Sequence, residues 1–349
     1  MTKRVMLTGA AGFLGSHALR HILTNTDWEV IAPVTFRHKG IPQRIVVQME
    51  GRQDWYDRLR LVRGDLTAPI DPIATALIGD VDYVINYASE SHVDRSIEQP
   101  VPFIRNNVDV MMNVLEYARI VRPTAVIQIS TDEVYGPAPA GHAHREWEAV
   151  IPSNPYSASK AAQEAIVTAW WRTYDIPVAI VNSMNLVGEL QDPEKFVPLI
   201  MSRLQDGQTV PIHGEIGPDG QVRIGSRYYM HARNLADAIL FLLRRGRIAR
   251  YAEGFDRPDR WHVVGEREVD NLSLLRQVAE LMGITDPAYE VVTFHASRPG
   301  HDLRYALDGA KIAAEGWRAP LSLDDSLARV VDWTLKHPDW WVADNAFHP

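Results

Sequence analysis

The sequence contains no cysteine. Disulfide staples, thiolate zinc centres and cysteine nucleophiles are therefore excluded, and a reducing compartment is compatible with the chain. It also lacks any apolar run approaching the roughly 20 residues that span a bilayer. Met1-Thr2-Lys3-Arg4 leads straight into a strand pattern rather than a signal peptide, which places the expected protein in the cytoplasm. Basic residues are in deficit, with 36 Lys and Arg against 44 Asp and Glu and a net charge of -8. Neither nucleic acid nor an anionic membrane surface is expected as a main partner. Repeats and low-complexity segments are absent. His142 and His144 sit in a Gly/Ala/Pro-rich loop with no third ligand recognised beside them, so no metal is expected. What is present is ordinary for a soluble globular enzyme, 46% hydrophobic and 23% charged, and 349 residues suffice for one large domain or two coupled ones.

Up to about residue 182, short apolar runs alternate with amphipathic stretches, the pattern of a doubly wound parallel α/β sheet. Strands are expected at 5–8, 29–32, 60–63, 83–86, 125–129 and 178–181, with helices at 13–24, 101–119 and 156–174. Beyond residue 185 the rhythm loosens into short strands and Gly- and Pro-containing loops, with helices near 195–204, 234–243, 271–282 and 323–335. The run 217–220 reads as a surface turn.

Thr8-Gly9-Ala10-Ala11-Gly12-Phe13-Leu14-Gly15 follows the first strand and opens a helix. Glycines there let backbone approach a pyrophosphate, and the helix N-terminus favours its charge, so the turn is read as a dinucleotide site. The second strand should end in an acid for the adenosine ribose, but Pro33-Val34-Thr35-Phe36 has none. Arg37, His38 and Lys39 follow, and cations there could hold a 2'-phosphate, which sets NADP beside NAD as the cofactor. Asp65, after the third strand, is read either as an adenine or ribose contact or as a helix cap. Residues 1–185 are accordingly expected to form a Rossmann-type dinucleotide-binding domain, and 186–349 a smaller substrate-binding region that returns some elements to it.

Two motifs carry chemistry. In Tyr156-Ser157-Ala158-Ser159-Lys160 the helical spacing of four puts phenol and ammonium on one face, where the cation can lower the tyrosine pKa. Beside a nicotinamide such a pair oxidises an alcohol. In Ser130-Thr131-Asp132-Glu133-Val134-Tyr135-Gly136, two adjacent carboxylates end an apolar strand. One kept protonated and one ionised would supply the acid and base that elimination of water requires.

With Glu90-Ser91-His92-Val93-Asp94-Arg95-Ser96-Ile97, Pro193-Glu194-Lys195 and Arg298-Pro299-Gly300-His301-Asp302-Leu303-Arg304-Tyr305 added to these motifs, the chain resembles the extended short-chain dehydrogenases/reductases nearly end to end. Within them it resembles the dTDP-glucose 4,6-dehydratases. The resemblance implies that Tyr156 is the base for oxidation at C4 of a nucleotide hexose, tuned by Lys160 with Thr131 near the C4 oxygen. It implies that Glu133 removes the C5 proton and Asp132 protonates the departing C6 hydroxyl. By the same resemblance, Gly9, Gly12, Phe13, Leu14, Gly15, Thr35, Arg37, Asp65, Leu66, Ala88, Ser89, Tyr156 and Lys160 would hold the cofactor. Ser91, Thr131, Asn185, Lys195, Phe196, Arg227, Asn271, Arg298 and His301 would hold the nucleotide sugar, with Arg223 competing with Arg227 for one position. A homodimer through the 101–119 and 156–174 helices is also implied.

The chain departs from that pattern on the substrate side. Asn182 stands where the family has arginine, Leu186 and Val187 where it has an Asn-Tyr pair, and Ser297 where it has aspartate. Ile224-Gly225-Ser226-Arg227-Tyr228-Tyr229-Met230-His231 replaces an Arg-Asp-Trp-Leu-Tyr-Val segment. These changes bear on which nucleotide and sugar are bound more than on the chemistry. Three rival readings stand beside 4,6-dehydration. Epimerisation at C4 would not need the Asp-Glu pair, 5,6-dehydration would keep it, and a silent dinucleotide-binding protein tends to lose Tyr or Lys.

Overall fold

The computed structural model describes residues 2–216, 219–246, 248, 256–293 and 302–340. Its centre is a seven-stranded sheet built from β1 (Arg4–Thr8), β2 (Glu29–Val34), β3 (Leu59–Arg63), β4 (Tyr83–Asn86), β5 (Ala125–Thr131), β6 (Val178–Ser183) and β11 (Asp259–Val263), in the order β11-β6-β5-β4-β1-β2-β3. Every pairing in it is parallel. Side chains alternate across the strands: Val5, Leu7, Val30 and Ile127 enter one core layer, Met6, Ile31 and Val126 the other. The first layer is closed by the Phe13–Asn25 and Ala232–Arg244 helices, the second by Pro100–Val121 and Pro155–Tyr174. Each fully buried aliphatic side chain contributes about 1.5–3 kcal/mol, so these two layers dominate the stability of the sheet.

The strand order reverses between β1 and β4, since the chain leaves β3 at one edge and re-enters on the other side of β1. The carboxyl ends of β1 and β4 therefore diverge around a crevice, where doubly wound sheets bind ligands. Sequence periodicity located six of the seven strands. It missed β11, whose Asp-Arg-Trp-His-Val sequence mixes charge with aromatics yet pairs with β6 over its whole length. β5 also runs two residues past its apolar stretch, because Ser130 and Thr131 keep pairing with Asn182 and Ser183. Helices Pro42–Met49, Gln53–Tyr56, Pro72–Ile78, Val93–Glu98 and Ala310–Ala314 were not expected; at four to eight residues they are too short to show a period.

The second half adds two three-stranded sheets. β7 (Asn185–Val187), β10 (Ser226–His231) and β12 (Glu268–Asp270) form one, in the order β12-β10-β7; β8 (Val210–Ile216), β9 (Val222–Ile224) and β13 (Tyr289–Thr293) form the other, in the order β13-β8-β9. A third apolar cluster unites them with the Phe196–Gln205, Asn271–Leu281 and Leu323–Lys336 helices. A buried polar knot ties this half to the first helix. His17 Nε2 lies 2.8 Å from the Glu189 carbonyl oxygen, His231 Nε2 lies 3.1 Å from Glu189 Oε2, and Arg329 pairs with the other carboxylate oxygen. Burial pushes His17 down to about 3, so its ring is neutral there. Among the described residues no helix is long and apolar enough to cross a membrane.

Candidate active site

The carboxyl ends of the central strands open into a cleft of about 500 Å³. Every expected cofactor, catalytic and substrate residue among the described ones lines it, from Gly9 and Gly15 through Thr131 and Tyr156 to Arg227 and Asn271. Arg298 and His301 lie outside the described residues, as does Ser297.

The glycine-rich turn is built so that nothing but backbone fits. Gly9 has a φ of +68°, and a Cβ there would lie 2.9 Å from the Ala88 nitrogen; a Cβ at Gly15 would lie 2.1 Å from the Gly9 oxygen. Gly12 caps the Phe13–Asn25 helix without any side-chain acceptor, leaving that helix's first N–H groups for an anion. These features fit a dinucleotide pyrophosphate. Beyond β2, Phe36 and His38 adopt left-handed φ values of 52° and turn the following cations back onto carboxylates. Arg37 pairs with Asp65 at 2.8 Å, His38 faces Glu90 at 3.6 Å, and Lys39 pairs with Glu194 at 3.2 Å. Asp65 also accepts from the Thr67 amide and hydroxyl. The basic run therefore carries no surplus charge for a 2'-phosphate, which favours NAD over NADP.

Thr131 ends β5 and caps the 3-10 turn Asp132–Tyr135. Its hydroxyl donates to Asp132 Oδ1 at 2.8 Å and accepts from the Glu133 amide at 3.3 Å. Gly136 closes the turn at φ +78°, where a Cβ would strike the Ile151 oxygen at 2.5 Å. Asp132 is buried and pushed up to about 6, burial outweighing the Thr131 hydrogen bond and the Arg227 charge. Glu133 is pushed up to about 7 by desolvation in the cleft and then by Asp132, against an Asn154 Nδ2 donor at 3.1 Å. As neighbours titrating in the same range, they behave as one pair that keeps about one proton near neutral pH.

Asn154 has a second task. Its side chain accepts from the Ser157 amide and forms a capping box with Ser157, and Pro155 occupies the first turn, so the Pro155–Tyr174 helix starts at a fixed place. Tyr156 and Lys160 then project into the cleft together. The expected lowering of the Tyr156 pKa is not found in the protein alone. Burial raises it first, Glu133 and Asp132 add to that, and only a hydrogen bond with Thr131 opposes them. Lys160 Nζ donates to the Ile129 carbonyl at 2.8 Å and to Gln163 Oε1 at 2.6 Å, and burial brings it down to about 7. Helical spacing brings both groups to the cleft, but desolvation is the largest influence on each.

Behind Lys160 lies a buried amide chain that sequence reading missed. Gln163 accepts from Gln128 at 3.1 Å, Gln128 accepts from Asn86 at 2.7 Å, and Thr8 donates to Asn86 while accepting from the Ala88 amide at 3.0 Å. It links the start of the glycine turn to the lysine across three strands. Its signal was a polar residue within an apolar strand run, as in Ala-Val-Ile-Gln-Ile-Ser and Tyr-Val-Ile-Asn. Asn182 donates to the Thr131 carbonyl at 2.9 Å and to Glu164 at 2.8 Å, while Arg260 from β11 meets Glu164 at 2.7 Å. This fixes the backbone under the acid pair.

On the substrate side, Arg227 and Arg223 separate cleanly. Arg227 is buried, donates to the Ser226, Leu303 and Asp302 carbonyls at 2.6–2.7 Å, and lies 4.6 Å from the Tyr305 ring centroid. Arg223 is exposed and pairs with Asp219 at 3.3 Å. Lys195 caps the Phe196–Gln205 helix and reaches the Ser91 carbonyl at 3.3 Å. Asn271 accepts from the Tyr229 hydroxyl at 3.3 Å. Asn185 Oδ1 and Asp132 Oδ2 are buried without a protein partner. Unpaired buried acceptors are costly, so these two mark positions for a ligand's hydroxyls.

A switch-point cleft with a glycine-rich turn, a Tyr-Lys pair and an acid pair defines the class of extended short-chain dehydrogenases/reductases. The profile of the NAD dependent epimerase/dehydratase family matches residues 5–251, and the chain belongs to that family. It is 32% identical over 331 residues to the low-salt glycan biosynthesis protein Agl12 of Haloferax volcanii, covering 95% of this chain and 98% of that one. It is 32% identical over 346 residues to a dTDP-glucose 4,6-dehydratase of Streptomyces niveus, covering 97% and 94%. The structure of the dTDP-glucose 4,6-dehydratase DesIV from Streptomyces venezuelae, solved with NAD bound, superposes with a TM-score of 0.83 at 32% identity over 98% of this chain and 99% of that one.

Proposed function

We propose that the protein is an NAD-dependent hydro-lyase that converts a nucleoside-diphosphate hexose, dTDP-glucose first among candidates, to the 4-keto-6-deoxy sugar. The observation that carries this reading is the Asp132–Glu133 pair, with values pushed up to about 6 and about 7, in the same cleft as Tyr156 and Lys160. Oxidation of an alcohol needs only the latter two. An acid and a base poised around neutrality are what elimination adds.

NAD, cradled by the glycine turn and the Thr35, Asp65 and Ala88 segments, supplies a two-electron acceptor that is restored by the end of the cycle. Tyr156 takes the proton of the C4 hydroxyl, with the Thr131 hydroxyl on the same oxygen and the Lys160 charge favouring the phenolate. The ketone so formed at C4 acidifies C5–H, and Glu133 removes that proton. Asp132 gives its own proton to the C6 hydroxyl, which leaves as water. C6 would then regain the hydride that C4 gave up to the cofactor while Glu133 returns a proton to C5, and the net change in the sugar is loss of one water.

These roles need the pair's shared proton on Asp132, and the Thr131 hydroxyl controls that. It stabilises the Asp132 carboxylate in the free protein; once it turns to the substrate's C4 oxygen, Asp132 loses that stabilisation and becomes the better proton holder, while Asn154 continues to favour ionised Glu133. The unpaired Asp132 Oδ2 faces this task without needing to break another contact.

A panel of dTDP-, UDP-, GDP- and CDP-hexoses, incubated with NAD or NADP in deuterated water and followed by mass spectrometry, tests the proposal. Loss of one water with one deuterium gained at C5, supported by NAD, is the expected result. A 5,6-alkene without a ketone, or an isomer of unchanged formula, would replace it with 5,6-dehydration or epimerisation. We further place the enzyme in the cytoplasm, where nucleotide sugars and NAD meet. It is taken to act as a homodimer through the Pro100–Val121 and Pro155–Tyr174 helices, whose ends expose Val101, Ile120 and Tyr174; a monomeric mass in sedimentation equilibrium would refute that arrangement.

A further inference from the structure

We propose that His142, His144 and Glu148 form a surface site for a divalent transition cation of the zinc class, separate from the cleft. The two histidines looked insufficient in sequence for want of a third ligand, and the fold supplies one. His142 Nε2 lies 2.9 Å and His144 Nδ1 2.8 Å from the same oxygen, Glu148 Oε2. All three candidate ligand atoms fall within 4.8 Å of one another. Four-coordinate zinc with bonds of about 2.0–2.1 Å keeps its ligand atoms roughly 3.3 Å apart, so a widening of roughly 0.5 Å admits the ion.

The ligands are held in advance. Glu148 Oε1 accepts from the Arg145 amide at 3.1 Å, which orients the carboxylate and leaves Oε2 to the histidines. His144 stacks on Tyr135 with centroids 5.2 Å apart, and its backbone is bonded to Ala306 and Asp308. Arg304 donates to the Pro139 and His142 carbonyls at 2.8 and 2.6 Å. His144 Nε2 is buried without a partner, which holds the affinity below that of closed four-ligand sites.

Two nitrogens and one oxygen favour zinc, nickel, copper or cobalt over calcium or magnesium, which prefer all-oxygen sites. His142 is 44% exposed, so water can fill the fourth position and the ion can exchange. Among the described residues the other grouping of this composition, His17 with Glu189 and His231, is unsuited. Arg233 and Arg329 already pair with that carboxylate, and His231 Nδ1 accepts the Arg233 amide. An ion on the loop would tie the Tyr135 side of the catalytic turn to the segment around Arg304.

The test uses untagged, EDTA-treated full-length protein titrated with Zn²⁺ by calorimetry and with Co²⁺ by visible absorption, alongside H142A/H144A and E148Q. One ion per chain, a tetrahedral cobalt band, a zinc-dependent rise in melting temperature, and at least a tenfold weaker affinity in both variants would support the site. Circular dichroism and activity in EDTA should match wild type. Wild-type affinity retained in the double variant, or no binding by wild type at micromolar zinc, would overturn it. So would affinity lost only on His231→Ala, since that would place the ion in the buried grouping. Should the double variant misfold, E148Q alone decides, wild-type affinity again being the overturning result.

Discussion

Replacing Asp132 by Asn should stabilise the protein while abolishing its chemistry. Asp132 rises from 3.8 to about 6 because burial penalises its charge more than Thr131 and Arg227 compensate. The sign follows from linkage: the unfolded carboxyl ionises first, so folding loses stability as pH rises from about 4 to about 6, and the whole cost remains above that. At about 1.36 kcal/mol per unit the shift is worth about 3 kcal/mol. Asn keeps the acceptor for Thr131 and has the same shape, so most of that cost should disappear. With about 2.1 cal/mol/K of unfolding entropy per residue, the gain corresponds to a melting temperature about 3–4 °C higher at pH 8. At pH 4 the two proteins should melt together. Activity should fall by about 10²–10⁴, the usual loss for a missing general acid. Thermal and urea unfolding at pH 4, 6 and 8, with turnover measured on the same samples, would check this. A variant no more stable than wild type at pH 8, or a gain that persists undiminished at pH 4, would refute the reasoning that burial sets the acid's pKa.

Three further outcomes are expected. Asp65→Ala frees Arg37 and should shift the ratio of NADP to NAD dissociation constants about tenfold towards NADP, given about 1.5–3 kcal/mol for a hydrogen bond to a charged group; fluorescence titration of the two cofactors would show it, and an unchanged ratio would count against the pairing. Asn154→Ala removes both the helix cap and the donor to Glu133. It should lower stability by about 1 kcal/mol and move the limb of the pH–rate profile that reports Glu133 to higher pH, since the lost bond favoured the carboxylate; a limb unmoved or shifted to lower pH would contradict the assignment. Gly9→Ala brings a Cβ to 2.9 Å from Ala88 nitrogen at a φ of +68° and should weaken NAD binding at least tenfold, as read by equilibrium dialysis; wild-type affinity would mean that the turn can relax.

The parts of the site readable in sequence are those encoded locally. Gly9 to Gly15, the Thr131-Asp132-Glu133 turn and the Tyr156–Lys160 spacing each carry their chemistry within a few residues, and the fold brings all of them to one cleft. What escaped depends on partners far apart in the chain. Arg37 looked like a phosphate ligand until Asp65, from the end of another strand, was found to neutralise it. The amide chain from Thr8 through Asn86 and Gln128 to Gln163 needs three strands and a helix in place before any link exists. Arg260 belongs to a strand too mixed in character to announce itself, yet it anchors Glu164 beneath the Asp132–Tyr135 turn. Glu148 was within reach, four residues from His144, but only the fold of the loop turns both histidines onto its single oxygen. The Tyr156 pKa departs from expectation for a different reason: spacing reports proximity, whereas the direction of the shift is set by how far burial desolvates the phenol.

The most direct test of 4,6-dehydration follows one atom. dTDP-glucose carrying deuterium at C4 would be converted by the enzyme with NAD in ordinary water, and the product examined by deuterium NMR and mass spectrometry. The account requires the label to appear at C6 of a 4-keto-6-deoxy sugar, with C5 bearing a proton from solvent. Label remaining at C4 of a 5,6-alkene or of a C4 epimer would contradict it, and the acid pair Asp132–Glu133 would then need another explanation.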